Sequence, residues 1–478
     1  MPNPSQRTSL VLAVLSVAAF VASLDVFIVN VAFDDIGADF TGSTLSQLSW
    51  VLNAYAIVYA ALLVPAGRIA DRYGRKGGFL LGLGVFTAAS AACAAADGVW
   101  WLVAFRAVQA VGAALLTPAS LGLVIASVPP ERRAGAVRIW ASTGAVAAAL
   151  GPAVGGVLVE ASWRWVFLVN LPIGAVALVG AALLVPRSRD EAASSLPDVR
   201  GAVLLALAIG ALTLGLVEGP DWGWGSARTS AAWVVSVVAL GGFLLSSRRH
   251  ASPVVDPALL RVRAFVWANA TSLLFAVPFA AALLTNILWM QQVWGYSAIR
   301  TGLAIAPGPL MVPVFAAVSH RLARRFPVGW LVAFGCVLLG AGGVLTAASV
   351  GPTPDYVGDL LPGWLIGGVG VGFALPSILS SATADLPPAR AATGSAVVNM
   401  SRQIGTALGV SLVVAVLGTP VGFDAARTAF RYTWWALAAV AVLAALAAPG
   451  MTPRRPGGGS GAGTETVPTS AGLAGSQT

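Results

Sequence analysis

Residues 66–78 read AGRIADRYGRKGG, and the fold turns on what this stretch is. Four cations, Arg68, Arg72, Arg75 and Lys76, and one carboxylate, Asp71, stand between two long apolar runs in a chain that is only 10% charged. Such a burst marks a short loop between membrane-crossing helices, because Lys and Arg collect in the loops on one face of a bilayer. The whole chain agrees: its 478 residues are 57% hydrophobic, and a mean hydropathy of +0.83 is far above that of a soluble domain. The net charge of +9 is spread in small clusters between apolar runs. That spacing is a topology signal and excludes a nucleic-acid-binding face.

Working outward, apolar segments recur at about residues 9–33, 47–66, 78–96, 100–128, 138–159, 165–185, 200–218, 230–247, 266–290, 301–320, 329–350, 359–382, 393–417 and 431–449. Each approaches the roughly 20 residues that a helix needs to cross the hydrocarbon core. The expected fold is therefore an all-α integral membrane protein with fourteen transmembrane helices. Starting the N-terminus in the cytoplasm leaves only Arg164, Arg228, Arg300, Arg427 and Arg431 outside, and Arg106 and Arg402 within spans. Every other cation falls on the cytoplasmic side, which predicts both termini in the cytoplasm of a plasma (inner) membrane. The N-terminal run has the single Arg and apolar core of a signal peptide, but it continues past Asp25 towards Phe33 and is read as a retained first helix. One lysine among 28 basic residues fits a high-GC, bacterial coding sequence.

The halves repeat. GRIADRYGR from Gly67 aligns with HRLARRFPV from His320, and PPERRAGAV from Pro129 with PPARAATGS from Pro387. Offsets of 253 and 258 residues imply two six-helix pseudo-repeat bundles. The expected division is 1–186 for the first bundle, 187–263 for an inserted two-helix hairpin with its linkers, 264–450 for the second bundle, and 451–478 for a disordered cytoplasmic tail rich in Gly, Ser and Thr.

AGRIADRYGRKGG resembles the loop between helices 2 and 3 of the major facilitator superfamily. SLDVFIVNVAF in helix 1, RAVQAVGAA in helix 4 and GAVAAALGPAVGGVL in helix 5 resemble the signatures of its 14-helix drug:proton antiporter branch. GYSAIRTGLAIAPGPL from Gly295 and SRQIGTALG from Ser401 are also similar to that branch, so the resemblance covers almost everything before the tail. One departure is at the outer end of helix 1, where the family continues into Ala-Leu-Pro and this chain has Ala32, Phe33 and Asp34. The resemblance implies proton-motive-force-driven efflux of small hydrophobic or amphipathic compounds such as antibiotics, by alternating access.

Several residues then acquire candidate roles. A carboxylate inside an apolar span costs about 2.5 to 3.5 kcal/mol on insertion scales and normally faces a cavity or a partner; Asp25 is the expected proton-coupling site, a static hydrogen-bonded carboxylate being the other reading. Arg106 is its natural partner, since a buried guanidinium needs acceptors; the family implicates this arginine in proton transfer, and a structural lock on helix 1 is the rival. Gly144, Gly151, Pro152, Gly155 and Gly156 form the helix 5 motif that accompanies antiport in the resembled family. Small residues there allow close packing, with or without a direction-setting role. Gly67, Asp71, Arg72, Gly74, Arg75 and Lys76 form a conformational latch, with Asp71 and Arg72 expected to stabilise the outward-open state. Cavity candidates are the aromatic and amide residues on spans: Asn30, Trp50, Asn53, Tyr55, Tyr59, Gln109, Asn269, Asn286, Trp289, Gln292, Asn399 and Gln403, to which Arg402 is added as a contact for an anionic group or a bridge between helices.

Cys93 and Cys336 sit in apolar runs and read as buried small side chains. With no Gly-x4-Gly-Lys-Ser/Thr loop and both histidines, His250 and His320, placed in loops, no metal, cofactor or ATP-driven pump is indicated. The partners expected are protons, a small-molecule substrate and the lipid bilayer, with no nucleic acid and no obligatory protein partner. Two rivals remain: a proton-coupled symporter for a nutrient or metabolite, and a non-transporting receptor or enzyme on a transporter-like scaffold.

Overall fold

The computed structural model describes residues 4–189 and 196–452. The tail expected to be disordered lies outside them, apart from Met451 and Thr452. Among the described residues, fourteen helices are long and apolar enough to cross a membrane. They are α1 (Thr8–Val31), α2 (Leu45–Tyr73), α3 (Arg75–Ala94), α4 (Val99–Ser127), α5 (Pro130–Val159), α6 (Trp165–Leu184) and α7 (Val199–Trp222). The remainder are α8 (Ala227–Arg249), α9 (Arg263–Val293), α10 (Ala298–Leu322), α11 (Val328–Ser349), α12 (Tyr356–Ala384), α13 (Arg390–Leu417) and α14 (Phe423–Met451). The expectation of fourteen spans holds, and no strand occurs among the described residues.

Local chemistry sets the boundaries. Thr44 and Gln47 form a reciprocal capping box at the start of α2, and Asp198, Ser226 and Ser297 cap α7, α8 and α10 through their side chains. Gly74 alone separates α2 from α3, with φ at +121°, where a side chain would be strained. The outer end of α1, where the sequence departs from the family, is a separate short helix over Phe33–Asp39. His320 lies in the last turn of α10, not in a loop as expected, because that helix runs on to Leu322.

The helices alternate direction, so one end of the protein carries Arg68, Arg72, Arg75 and Lys76 and the opposite end carries Asp34, Asp35, Asp39 and Glu160. These are called the basic and acidic ends. α3 packs on α4 where Gly82 meets Gly112, and α11 packs on α12 where Gly335 meets Gly370. The second pair stands 253 and 258 residues after the first, the same spacing that relates the charge-rich loops. Pro129 before α5 and Pro387 before α13 also share one backbone conformation.

α2 packs along α13, α5 packs on the first part of α10, and α7 lies against both α2 and α13, with α8 behind it. At the acidic end a single hydrophobic cluster joins Ile28 and Val31 of α1, Leu48 and Val51 of α2, Ile287 and Trp289 of α9, and Val413 and Leu417 of α13. The seam is therefore closed at that end.

Glycines permit this closure. A Cβ added at Gly156 would stand 2.7 Å from the Ile299 Cα of α10, whereas at Gly144 the nearest atom is the Ser23 Oγ at 3.9 Å. Overpacking a tight contact typically costs about 1–3 kcal/mol. Gly156→Val is expected to lower the thermal unfolding temperature in detergent and Gly144→Ala to leave it unchanged; equal melting of the two variants would contradict the seam geometry.

Candidate functional site

Asp25 and Arg106 meet in the interior of the first six helices. Both are essentially without solvent exposure, at 0% and 1%, and Nη1 of Arg106 donates to the Asp25 carboxylate. The pair is supported on every side. Gln109 on α4 donates from Nε2 to Asp25 Oδ1 at 2.9 Å, and Asn170 on α6 donates to the same oxygen at 3.2 Å. Ser90 on α3 accepts from Gln109 at 2.8 Å and from Asn170 at 3.3 Å, and its hydroxyl donates to the Phe86 carbonyl at 2.8 Å. Arg106 also donates to Gln109 Oε1 at 2.6 Å and to the Val51 carbonyl of α2 at 3.2 Å. Its guanidinium lies 4.2 Å from the Tyr55 ring centroid and 5.8 Å from that of Phe167.

This network explains how a charge survives in an apolar helix. Desolvating each ion costs several kcal/mol, which the pair recovers only with good geometry and additional donors. Because Arg106 also donates to the Val51 carbonyl and lies over the Tyr55 ring, the pair joins α1 and α4 to α2.

Asn170 and Ser90 were not singled out in the sequence, where an Asn near a helix start and a Ser among alanines look inert. Cys93 is fully buried beside them, 4.0 Å from Gln109 Oε1, and Cys336 is also buried and free. The cavity candidates divide. Tyr55 and Gln109 belong to the ion-pair site. Asn286 and Trp289 belong to an aromatic core in which Trp434 donates to Asn286 at 3.0 Å and Trp289 is packed by Phe430 and Trp434. Asn30 bonds its own helix at the Val26 carbonyl. Around the α2–α13 seam lie half-buried Trp50, buried Asn53 with neither amide atom partnered, and Tyr59, which donates to Thr117 at 3.2 Å. Across from them on α9 and α13, Ser401 donates to Asn269, Gln403 is buried, and Arg402 donates to Asn399 at 3.3 Å while its Nε has no partner. Gln292 donates to Asp34 at the acidic end and lines a cavity of about 500 Å³ with Leu45, Leu417, Pro420, Phe423 and Phe430.

The charge-rich stretch 66–78 ties four helices together at the basic end. Asp71 Oδ1 accepts from Arg75 Nε at 2.6 Å. The Arg75 backbone donates to the Ser188 carbonyl, and its side chain covers Gly122 of α4. Lys76 donates to the Ala182 carbonyl of α6 at 2.8 Å, Gly67 faces Pro118 of α4, and Arg72 lies over the Tyr73 ring. Arg68 donates to Ser252 in the segment after α8. In the helix 5 motif, Gly151 and Gly155 face Phe27 and Ile28 of α1, and the helix runs unbroken through Pro152, whose carbonyl faces Gly302 of α10.

Fourteen crossings, a buried ion pair and positions that recur 253 to 258 residues apart are the marks of a secondary transporter. Residues 15–410 match the Major Facilitator Superfamily. The chain belongs to this superfamily. It is 33% identical over 412 residues to the methylenomycin A resistance protein of Streptomyces coelicolor, covering 86% of each chain. It is 31% identical to the tetracenomycin C resistance and export protein of Streptomyces glaucescens, covering 86% of this chain and 76% of that one. The multidrug resistance protein Stp of Mycobacterium tuberculosis is 32% identical over the same two shares, 86% and 76%. A crystal structure of a POT family transporter in complex with 5-aminolevulinic acid superposes with a TM-score of 0.67 at 18% identity, covering 91% of this chain and 94% of that one. It shares the fold. This superfamily member is a multi-pass membrane transporter of small molecules.

Removing one partner of a buried ion pair typically costs about 3–5 kcal/mol, whereas replacing both with apolar groups costs much less. Arg106→Met should therefore lower the unfolding temperature in detergent more than the double variant Asp25→Leu/Arg106→Met; a double variant as unstable as the sum of the single ones would contradict the pairing.

Proposed function

We propose that the protein is a proton-driven exporter of small hydrophobic or amphipathic compounds, with Asp25 as the proton-coupling residue and Arg106 as its counter-charge. The observation that carries this reading is a fully buried carboxylate held by one arginine and two neutral amides. Such a group can exchange its arginine for a proton without leaving a bare charge in the membrane. The resistance and export functions of the relatives give the direction, cytoplasm to outside.

In this reading the two halves, about 1–186 and 264–450, rock about the seam of α2, α13, α5 and α10. Both termini and the basic end face the cytoplasm. Substrate enters between the halves from that side, against Tyr59, Asn269, Asn399 and Arg402, while the hydrophobic cluster at the acidic end keeps the far side shut. Protonation of Asp25 loosens Arg106 from α1. Arg106 holds the Val51 carbonyl on α2, so the release reaches the seam helix directly.

Cells expressing the protein should extrude a hydrophobic dye or antibiotic, and an uncoupler should abolish the extrusion. Asp25→Asn should accumulate the dye as uncoupled cells do. Extrusion by Asp25→Asn with an unchanged dependence on an imposed pH gradient would end the assignment of Asp25.

The stretch 66–78 is proposed to be a latch whose charges re-pair when the basic end closes. In the present arrangement Asp71 is held by Arg75. Asp71→Asn is expected to favour the state open at the basic end; a cysteine placed at Ser142 on the basic-end part of α5 should become at least about twofold more reactive from the cytoplasm, and unchanged reactivity would refute the latch.

A further inference from the structure

The acceptors and donors around Asp25 come from α3, α4 and α6, through Ser90, Arg106, Gln109 and Asn170, and among the described residues none comes from α9 to α14. The carboxylate thus points into the first six helices and away from the seam. The titratable groups that face it are Arg106 from α4, Tyr55 from α2 and Cys93 from α3; α5 presents Gly151 and Gly155 to α1.

Directly towards the acidic end lies a stack that leads to the surface. Asn170 is fully buried, and its Oδ1 has no hydrogen-bond partner. A buried acceptor left unpaired is costly, so this oxygen is suited to a transient donor such as water or hydronium. One turn back, Phe167 lies between the Arg106 guanidinium, 5.8 Å away, and Trp163, 6.1 Å away. Trp163 is itself nearly buried and covered by Phe40. Above it, Asp39 accepts from Trp163 Nε1 at 2.9 Å and from Arg164 Nη1 at 2.7 Å. Arg164 reaches on to the Ala96 carbonyl of the α3–α4 loop and lies 4.4 Å over the Trp163 ring. The Trp163 and Arg164 donors hold the Asp39 carboxyl below the usual carboxylate range. Asp39 therefore stays ionised, and the clasp stays closed, at physiological pH; it is lost only as pH falls through that depressed value.

We propose that protons reach Asp25 from the acidic end through the interior of the first six helices, admitted by the Asp39–Arg164–Trp163 clasp and relayed at Asn170, apart from the substrate path between the halves. A hydronium docked on Asn170 Oδ1 gives its proton to the Asp25 carboxylate, leaving water and a neutral acid that releases Arg106. Asn170 is a positioning residue that holds the donor. The inference rests on Asp25 being the proton site. That reading is tested by Asp25→Asn, and the route by variants that leave Asp25 in place.

The experiment uses the full chain in a Cys336→Ala background, where Cys93 is the remaining thiol and reports on the ion-pair site. External Ag+, close to water in size, is the probe, and protection of Cys93 from alkylation after unfolding is the readout. Arg164→Gln should raise the protection rate at least about tenfold, because it removes the charged donor of the clasp. Gln292→Leu, which opens the contact between the halves to Asp34, should leave that rate as it is. In proteoliposomes Asn170→Leu should slow proton-driven export about tenfold or more while substrate affinity stays within about twofold, and Asn170→Ser, which keeps an acceptor, should recover most of the rate. Faster protection in Gln292→Leu and not in Arg164→Gln would move the route to the seam and overturn the proposal. Parental export by Asn170→Leu would do the same, and if that variant fails to fold the Ag+ comparison still decides.

Discussion

The salt bridge between Asp25 and Arg106 is the constraint around which the first six helices are arranged. Two opposite charges can sit in the middle of a membrane protein only if each finds its partner and the remaining donors and acceptors are satisfied. Meeting that condition requires one residue from α3, two from α4, one from α6 and a carbonyl from α2, so five helices must converge on one carboxylate. Close approach makes this convergence possible. Gly82 and Gly112 bring α3 against α4, and Gly151 and Gly155 bring α5 against α1. Without an apolar driving force between helices in lipid, such contacts and interhelical hydrogen bonds are what hold the bundle together.

The same site marks where the two halves cease to be alike. The offset of 258 residues that relates Gly112 to Gly370 puts Trp364 at the place of Arg106 and Gly367 at that of Gln109. Trp364 donates to the Ile305 carbonyl of α10 at 2.7 Å, so its role is to join helices of the second half. The helix 5 motif is equally one-sided: Val410 stands where Pro152 would align, and Arg402 where Gly144 would. A repeat keeps its backbone packing while each copy specialises. The buried ion pair belongs to the first half, while the second supplies an aromatic core around Trp289 and an incompletely paired Arg402 facing the seam.

Much of this was legible in the sequence because the bilayer imposes simple rules. Span length, loop charge and the spacing of the halves need only composition and counting, and an aspartate in an apolar run announces itself by its cost. The pairing of Asp25 with Arg106 followed from the same reasoning. The residues without charge were not legible in this way. Asn170, Ser90, Trp163 and Phe167 carry no charge, lie among residues that tolerate them, and gain meaning only when α3, α4 and α6 are brought together. Asn286 and Trp289 erred the other way: a polar or aromatic residue on a span reads as cavity lining, yet these two face inward to a core held by Trp434. Direction around a helix axis decides the matter, and an apolar helix buried on most sides has no strong periodicity to reveal it.

α7 and α8 pack together as a hairpin whose sequence carries no obvious motif. α7 touches both α2 and α13, so any motion of one seam helix against the other must slide along it or carry it. Its basic end is not loose. Asp198 is buried, caps α7 and accepts from Ser246 of α8, and its backbone donates to the Ser252 carbonyl. Ser252 in turn holds Arg68 of α2, and four residues later Asp256 faces Arg390 of α13 at 3.9 Å. The first cation of the stretch 66–78 therefore answers to the hairpin, while Asp71, Arg75 and Lys76 answer to α3, α4 and α6. The end of α2 and the start of α3 thus contact two interfaces at once, with Arg68 and Asp71 about one turn apart on α2.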